Sequence, residues 1–277
     1  MAERGIAVAV TANDVHIQSN AFNMRATLLS LLPLALAAPV ILHRQATKPI
    51  YWLLAGDSTT ATNGGWGDAF LSTTVASSSS GHNYGHSGAT TKSFRAGGDW
   101  ANVTRDIGTY KEDYRVYVTI QFGHNDQKPT SGVSLTDYRT NLATFASEVI
   151  EAGAMPILLS PLTRRTFNTT TNRVIENLSN ETAITLDVAE ANDLHVIDLN
   201  KASTAYVNAI GQKGADTYNW GENGTTGNDR THLNPWGEVV FARMVSDLLV
   251  EKYAEEFGDW TVGNETLSAL IKDGKVA

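Results

Sequence analysis

Four short segments of this chain carry the residue types needed for hydrolysis through a nucleophilic hydroxyl. They are Gly56-Asp57-Ser58-Thr59, Asn83-Tyr84-Gly85-His86-Ser87-Gly88, Gly123-His124-Asn125-Asp126 and Asp229-Arg230-Thr231-His232. An unassisted serine is a poor nucleophile at neutral pH, so Ser58 needs a base. His232 is the best candidate among seven histidines. His16 and His43 lie before or beside the expected mature start, His82 and His195 at presumed strand beginnings, and His86 and His124 within other segments. Asp229 precedes His232 by three residues, so on one turn of helical backbone the two side chains would share a face. The carboxylate would then fix the imidazole tautomer and stabilise the imidazolium. Asn125 can donate a side-chain N–H to a tetrahedral oxyanion, with the amides of Ser58 and Gly88 beside it. Gly88 has no Cβ to hold substrate away from its N–H. Plainer readings exist: Ser58 as a helix cap, Asn125 and Gly88 as turn residues, and Asp-x-x-His as chance. The joint occurrence of the segments favours Ser58, Asp229 and His232 as catalytic residues, with Asp57 and Asp126 holding loops.

These groups must be brought together by elements distant in sequence. Tyr51-Trp52-Leu53-Leu54-Ala55 is a continuous apolar run, as expected of a strand buried on both faces in a parallel sheet, and it ends at the Ser58 segment. Val116 to Gln121 is a second such strand and ends at the Asn125 segment. Further strands are expected at Ile157 to Ser160 and Val196 to Asp198. Leu135, Tyr138, Leu142, Phe145 and Val149 recur at spacings of three and four, which predicts a helix stopped by Gly153. Asn234 is placed to cap a last helix with Pro235 at its first position and a stripe of Val240, Phe241, Met244, Val245, Leu248 and Leu249. Strand and helix alternate, so the fold class is α/β: a three-layer α/β/α sandwich with a central parallel sheet, flavodoxin-like. Ligand sites in such sheets lie outside the carboxyl ends of the strands, where Ser58 and Asn125 both fall.

In this order and wording the segments resemble the SGNH/GDSL hydrolase superfamily. With Gly64-Gly65-Trp66-Gly67-Asp68 and Phe122-Gly123-His124-Asn125-Asp126, the chain looks most like the rhamnogalacturonan acetylesterase branch. The resemblance covers residues 49 to 254. It implies a serine esterase that removes acetyl groups from an acetylated polysaccharide, rhamnogalacturonan of pectin, with no cofactor and no metal. Lys92, Arg95, Lys128 and Arg230 lie beside the segments and would favour an approaching galacturonate chain, or are ordinary solvated charges. Trp66 and Trp100 would stack on sugar rings or serve as packing. Two alternatives remain: a GDSL lipase or lysophospholipase, which needs a broad apolar cleft, and a carbohydrate-binding relative without turnover. The chain lacks a Gly-x-Ser-x-Gly elbow, a P-loop, a dinucleotide fingerprint and a His-rich cluster.

The 277 residues suit one α/β domain, expected over residues 38–277. Residues 24–37 read as a signal peptide, with Met24-Arg25, a leucine-rich stretch and a small-residue cleavage site near Ala37. Residues 1–23 are expected to be an extension upstream of the natural start, absent or disordered. Sequons at Asn102, Asn168, Asn177, Asn180, Asn223 and Asn264 predict a secreted, extracellular glycoprotein. There is no cysteine, which excludes disulfides, thiol catalysis and Cys-based zinc sites. The net charge of −8 argues against nucleic-acid binding, and no segment is expected to enter a membrane. The protein is expected to act as a monomer.

Overall fold

Successive side chains of a strand point to opposite faces. In β1 (Ile50–Gly56) that alternation sends Trp52 and Leu54 into one apolar core and Tyr51, Leu53 and Ala55 into another. All seven residues of the strand are buried, which explains why its sequence shows no alternation. The computed structural model describes residues 48–277. The expected extension and signal segment, with His16 and His43, lie outside the described residues.

The chain continues through β2 (Ser80–Asn83), β3 (Arg115–Gln121), β4 (Met155–Leu159), a small antiparallel hairpin of β5 (Phe167–Asn168) and β6 (Arg173–Val174), and β7 (His195–Ile197). The central sheet has the order β2-β1-β3-β4-β7 and is parallel throughout. The chain leaves β1 for one edge and returns on its other side as β3, so a topological switch point lies between these strands. Gly56 pairs with Gln121 across it, so the loops bearing Ser58 and Asn125 leave the sheet at one level. The edge strand β2, Ser-Gly-His-Asn, is polar and carries no apolar signal. His82, expected at its beginning, is its third residue, opposite Leu53.

Helices cover both faces. The core containing Trp52 is closed by α1 (Gly67–Thr73), α6 (Leu199–Asp216), α7 (Pro235–Lys252) and the short α8 (Ala254–Phe257) and α9 (Glu265–Lys272). The other is closed by α2 (Thr91–Ala96), α3 (Asp99–Tyr110), α4 (Leu135–Ala152) and α5 (Ser179–Ala191). The result is the expected three-layer α/β sandwich. Helix α4 begins with a capping box between Ser134 and Asp137 and ends at Gly153 with φ of 92°. Its stripe is buried from Tyr138 onward, while Leu135, in the first turn, is exposed. Helix α7 is capped by Asn234, whose side chain accepts from Gly237 N–H, with Pro235 at the first position. Before it, β8 (Asn219–Trp220) and β9 (Asp229–Leu233) pair as an antiparallel ribbon. No helix among the described residues is long and apolar enough to cross a membrane.

Candidate active site

The loop after β1 is folded by its own side chains. Asp57 is fully buried and accepts through Oδ1 from the Thr59 N–H (2.9 Å) and hydroxyl (2.8 Å), and through Oδ2 from the His124 N–H (3.3 Å). Burial opposes its charge, but the nearby His124 imidazole and the Thr59 bonds outweigh that and hold its carboxyl below the usual range. His124 Nδ1 lies 3.4 Å from Asp57 Oδ2, too poorly aligned for a hydrogen bond. Ser58, anchored between these contacts, presents its hydroxyl at the end of the strand.

His232 reaches that hydroxyl from 174 residues away: its Nε2 is 2.8 Å from Ser58 Oγ. Its Nδ1 is 2.7 Å from Asp229 Oδ2. A carboxylate can only accept, so Nδ1 carries the proton and Nε2 is left to accept from the serine. The expected helical turn is not what joins Asp229 to His232; both lie on strand β9. Asp229 Oδ1 accepts from the amides of Thr231 (2.8 Å) and His232 (3.0 Å), which holds the carboxylate at the Nδ1 edge of the ring. Burial works against the Asp229 charge, yet the imidazole and the two amides more than offset it, so its carboxyl sits below the ordinary range. Gly64, with φ of 117°, lies against the His232 side chain, and a Cβ there would stand 3.2 Å from His232 Cβ. Its carbonyl accepts from Leu233 N–H and its N–H donates to Glu238, tying the Gly-Gly-Trp segment to β9 and α7.

Three hydrogen bonds join the Gly88 loop and the start of α2 to the Asn125 loop. Asn125 Nδ2 donates to the Ala89 carbonyl (3.0 Å), and Asp126 Oδ1 accepts from the Thr91 N–H (2.9 Å) and hydroxyl (2.6 Å). Gly88 has φ of 82° with open space where a Cβ would be. The amides of Ser58 and Gly88 have no acceptor among the described residues. A cleft of about 650 Å³ runs along the loop after β3, lined by Asp126, Gln127, Lys128, Val133, Asn177 and Glu181 among others; Ser58, Gly88, Asn125 and His232 are not in its lining.

Two arginines that sequence reasoning did not single out support this floor. Arg164 donates to Thr231 Oγ1 (3.3 Å), the His124 carbonyl (3.3 Å) and Asn177 (3.1 Å), bridging the third and fourth segments. Arg165 is fully buried and donates to Asn219 Oδ1 (2.8 Å) and to the carbonyls of Asp229 and His232. Burial lowers its pKa to about 10, leaving it charged at neutral pH. Paired charges just past the carboxyl end of an apolar strand are the signal that could have found them. The tryptophans and cations beside the segments have surroundings of their own. Trp66 and Trp100 are buried, so they pack and cannot stack on an outside sugar. Arg95 pairs with Glu148 and Arg230 with Asp216. Lys92, exposed, donates to the Gly132 carbonyl at 3.5 Å. Among the described residues no group of three or more His, Asp or Glu could hold a metal ion.

A serine, a histidine and an aspartate in hydrogen-bonded line, set at the switch point of a parallel sheet beside free amides, define a site equipped for acyl transfer. The chain belongs to the GDSL-like lipase/acylhydrolase family, whose model matches residues 54–239. Among individual relatives, it is 29% identical over 221 residues to the rhamnogalacturonan acetylesterase RhgT of Bacillus subtilis, covering 74% of this chain and 91% of that one. The fold is shared with the YXIM protein of Bacillus subtilis at a TM-score of 0.61 and 23% identity; 74% of this chain matches 57% of that one. It is also shared with Axe2, an acetylxylan esterase from Geobacillus stearothermophilus, at a TM-score of 0.50 and 16% identity, over 74% and 94% of the two chains.

Proposed function

We propose that this protein is a secreted serine esterase that removes acetyl groups from a plant cell-wall polysaccharide, rhamnogalacturonan being the leading substrate. The observation that carries the proposal is the unbroken line from Ser58 Oγ through His232 to Asp229, at 2.8 and 2.7 Å. Ser58 attacks the acetyl carbonyl as His232 Nε2 takes its proton, and Asp229 stabilises the resulting imidazolium. The negative oxygen is received by the amides of Ser58 and Gly88 and by the free N–H of Asn125. The intermediate collapses as His232 returns the proton to the departing sugar hydroxyl. Water, activated by the same imidazole, then releases acetate from Ser58.

Relatedness to RhgT supports the pectic substrate. Exposure of the sequon residues Asn168, Asn177, Asn180, Asn223 and Asn264 is compatible with secretion. The test is acetate release from acetylated rhamnogalacturonan, acetylated xylan and p-nitrophenyl esters of increasing chain length. Release should be fastest from the rhamnogalacturonan and should fall as the ester acyl chain lengthens. Ser58→Ala should lower turnover on every substrate by about a thousand-fold or more with an unchanged melting temperature. A variant retaining a tenth of wild-type turnover would remove Ser58 from the reaction.

A further inference from the structure

We propose that Lys128 is a positioning residue for the oxyanion site, holding and polarising the Asn125 amide. This rests on the reading of Ser58 and Asn125 given above. The loop after β3 is closed by Lys128 N–H donating to the Asn125 carbonyl (3.1 Å), which brings the side chains of residues 125 and 128 together. Lys128 Nζ then lies 2.6 Å from Asn125 Oδ1.

A primary amide can turn over end for end, exchanging its acceptor for its two donors. For Asn125 the difference is decisive, because one orientation offers an N–H to a developing negative charge and the other offers a carbonyl oxygen. Its two neighbours select the same orientation. The lysine ammonium has no lone pair and can face only Oδ1; the Ala89 carbonyl has no hydrogen and can face only Nδ2 (3.0 Å). One N–H of the amide remains, with no acceptor among the described residues.

The lysine contributes more than orientation. A hydrogen bond from a charged donor is stronger than a neutral one, and it draws electron density from the amide, so the remaining N–H becomes a better donor. No carboxylate among the described residues forms an ion pair with Lys128, so its charge is not neutralised locally. The gain falls on the transition state, since only there does the substrate oxygen carry the charge.

The experiment is a double-mutant cycle on p-nitrophenyl acetate, a neutral substrate. Lys128→Met should lower kcat about tenfold with KM and melting temperature unchanged, as expected for a support of a group itself worth a hundred-fold or more. Lys128→Arg, which keeps a charged donor, should recover part of the loss. On an Asn125→Ala background, Lys128→Met should change kcat by less than about twofold, because the group it acts through is gone. A full tenfold loss on that background overturns the proposal. So does a loss seen only as raised KM for acidic polysaccharide, which would make Lys128 a substrate contact. A normal Lys128→Met beside an inert Ser58→Ala removes the role of Lys128 alone. An active Ser58→Ala removes the hydrolase reading itself.

Discussion

Asn125 is buried, accepts from a lysine and donates to a backbone carbonyl, so its replacement touches both chemistry and loop structure. The two effects separate in kinetics. Asn125→Ala should lower kcat by roughly a hundred- to a thousand-fold, about 3 to 4 kcal/mol, with KM nearly unchanged, because the lost donor meets full charge only in the transition state. Replacing a residue that merely held the loop would lower the melting temperature and disturb KM along with kcat. Steady-state rates beside a melting curve decide between them. His124 illustrates the opposite case: it neighbours Asn125 in sequence, but its ring is buried against Asp57, while the partner of the Ser58 hydroxyl is His232.

At the scale of elements, the site depends on junctions. Asp126 clamps the start of α2 to the loop after β3, and burial raises its pKa to about 6 from 3.8. Between those values the folded protein binds more proton than the unfolded chain, so the contribution of Asp126 to stability is complete below about pH 4 and is lost as pH rises through 6. Asp126→Asn keeps an oxygen for Thr91 but cannot ionise. Relative to wild type, its unfolding free energy should therefore rise as pH goes from 4 to 6, by up to about 3 kcal/mol, and level off above. Urea melts of both proteins across that range measure the difference; a pH-independent difference would contradict it. Asn234 is the second junction, capping α7 while its amide donates to Thr217 O and Thr226 Oγ1. Asn234→Ala should cost about 1 to 2 kcal/mol, lowering the melting temperature by roughly 2 to 8 °C, readable by calorimetry.

For the molecule as a whole, the sheet is a platform with a core on each face, and the groups proposed for catalysis stand above one end of it. All of those groups, and the core residues named above, belong to the described residues 48–277. A chain beginning at residue 38 should accordingly match the full chain in kcat/KM and melting temperature, with acetate release and calorimetry as the measurements. A loss of activity would place a needed contribution among the residues before it. Removal of residues 1–37 takes away Arg4 and Arg25 together with Glu3 and Asp14, so the net charge stays at −8 and electrostatic attraction to substrate should not change.

The amino-acid sequence by itself determined which stretches must be buried. Continuous apolar runs marked β1, β3 and β4, and caps with periodic stripes marked α4 and α7, because burial on two faces or one leaves its period in the chain. It also determined the residue types at the site, since a hydroxyl needs a base and an oxyanion needs donors whatever the fold. Tertiary structure alone decided the rest. The polar Ser-Gly-His-Asn stretch is a strand only because β1 offers it a pairing edge. Asp229 meets His232 on extended backbone, through amides that its own carboxylate captures, so a spacing of three did not reveal the conformation. Trp66 and Trp100, ambiguous as letters, are packing because helices close over them. Arg164 and Arg165 acquire their partners from segments that approach only when the sheet assembles. Local sequence records how a residue meets water, whereas the partner it meets across 174 residues, as Ser58 meets His232, is set by the order in which strands pack side by side.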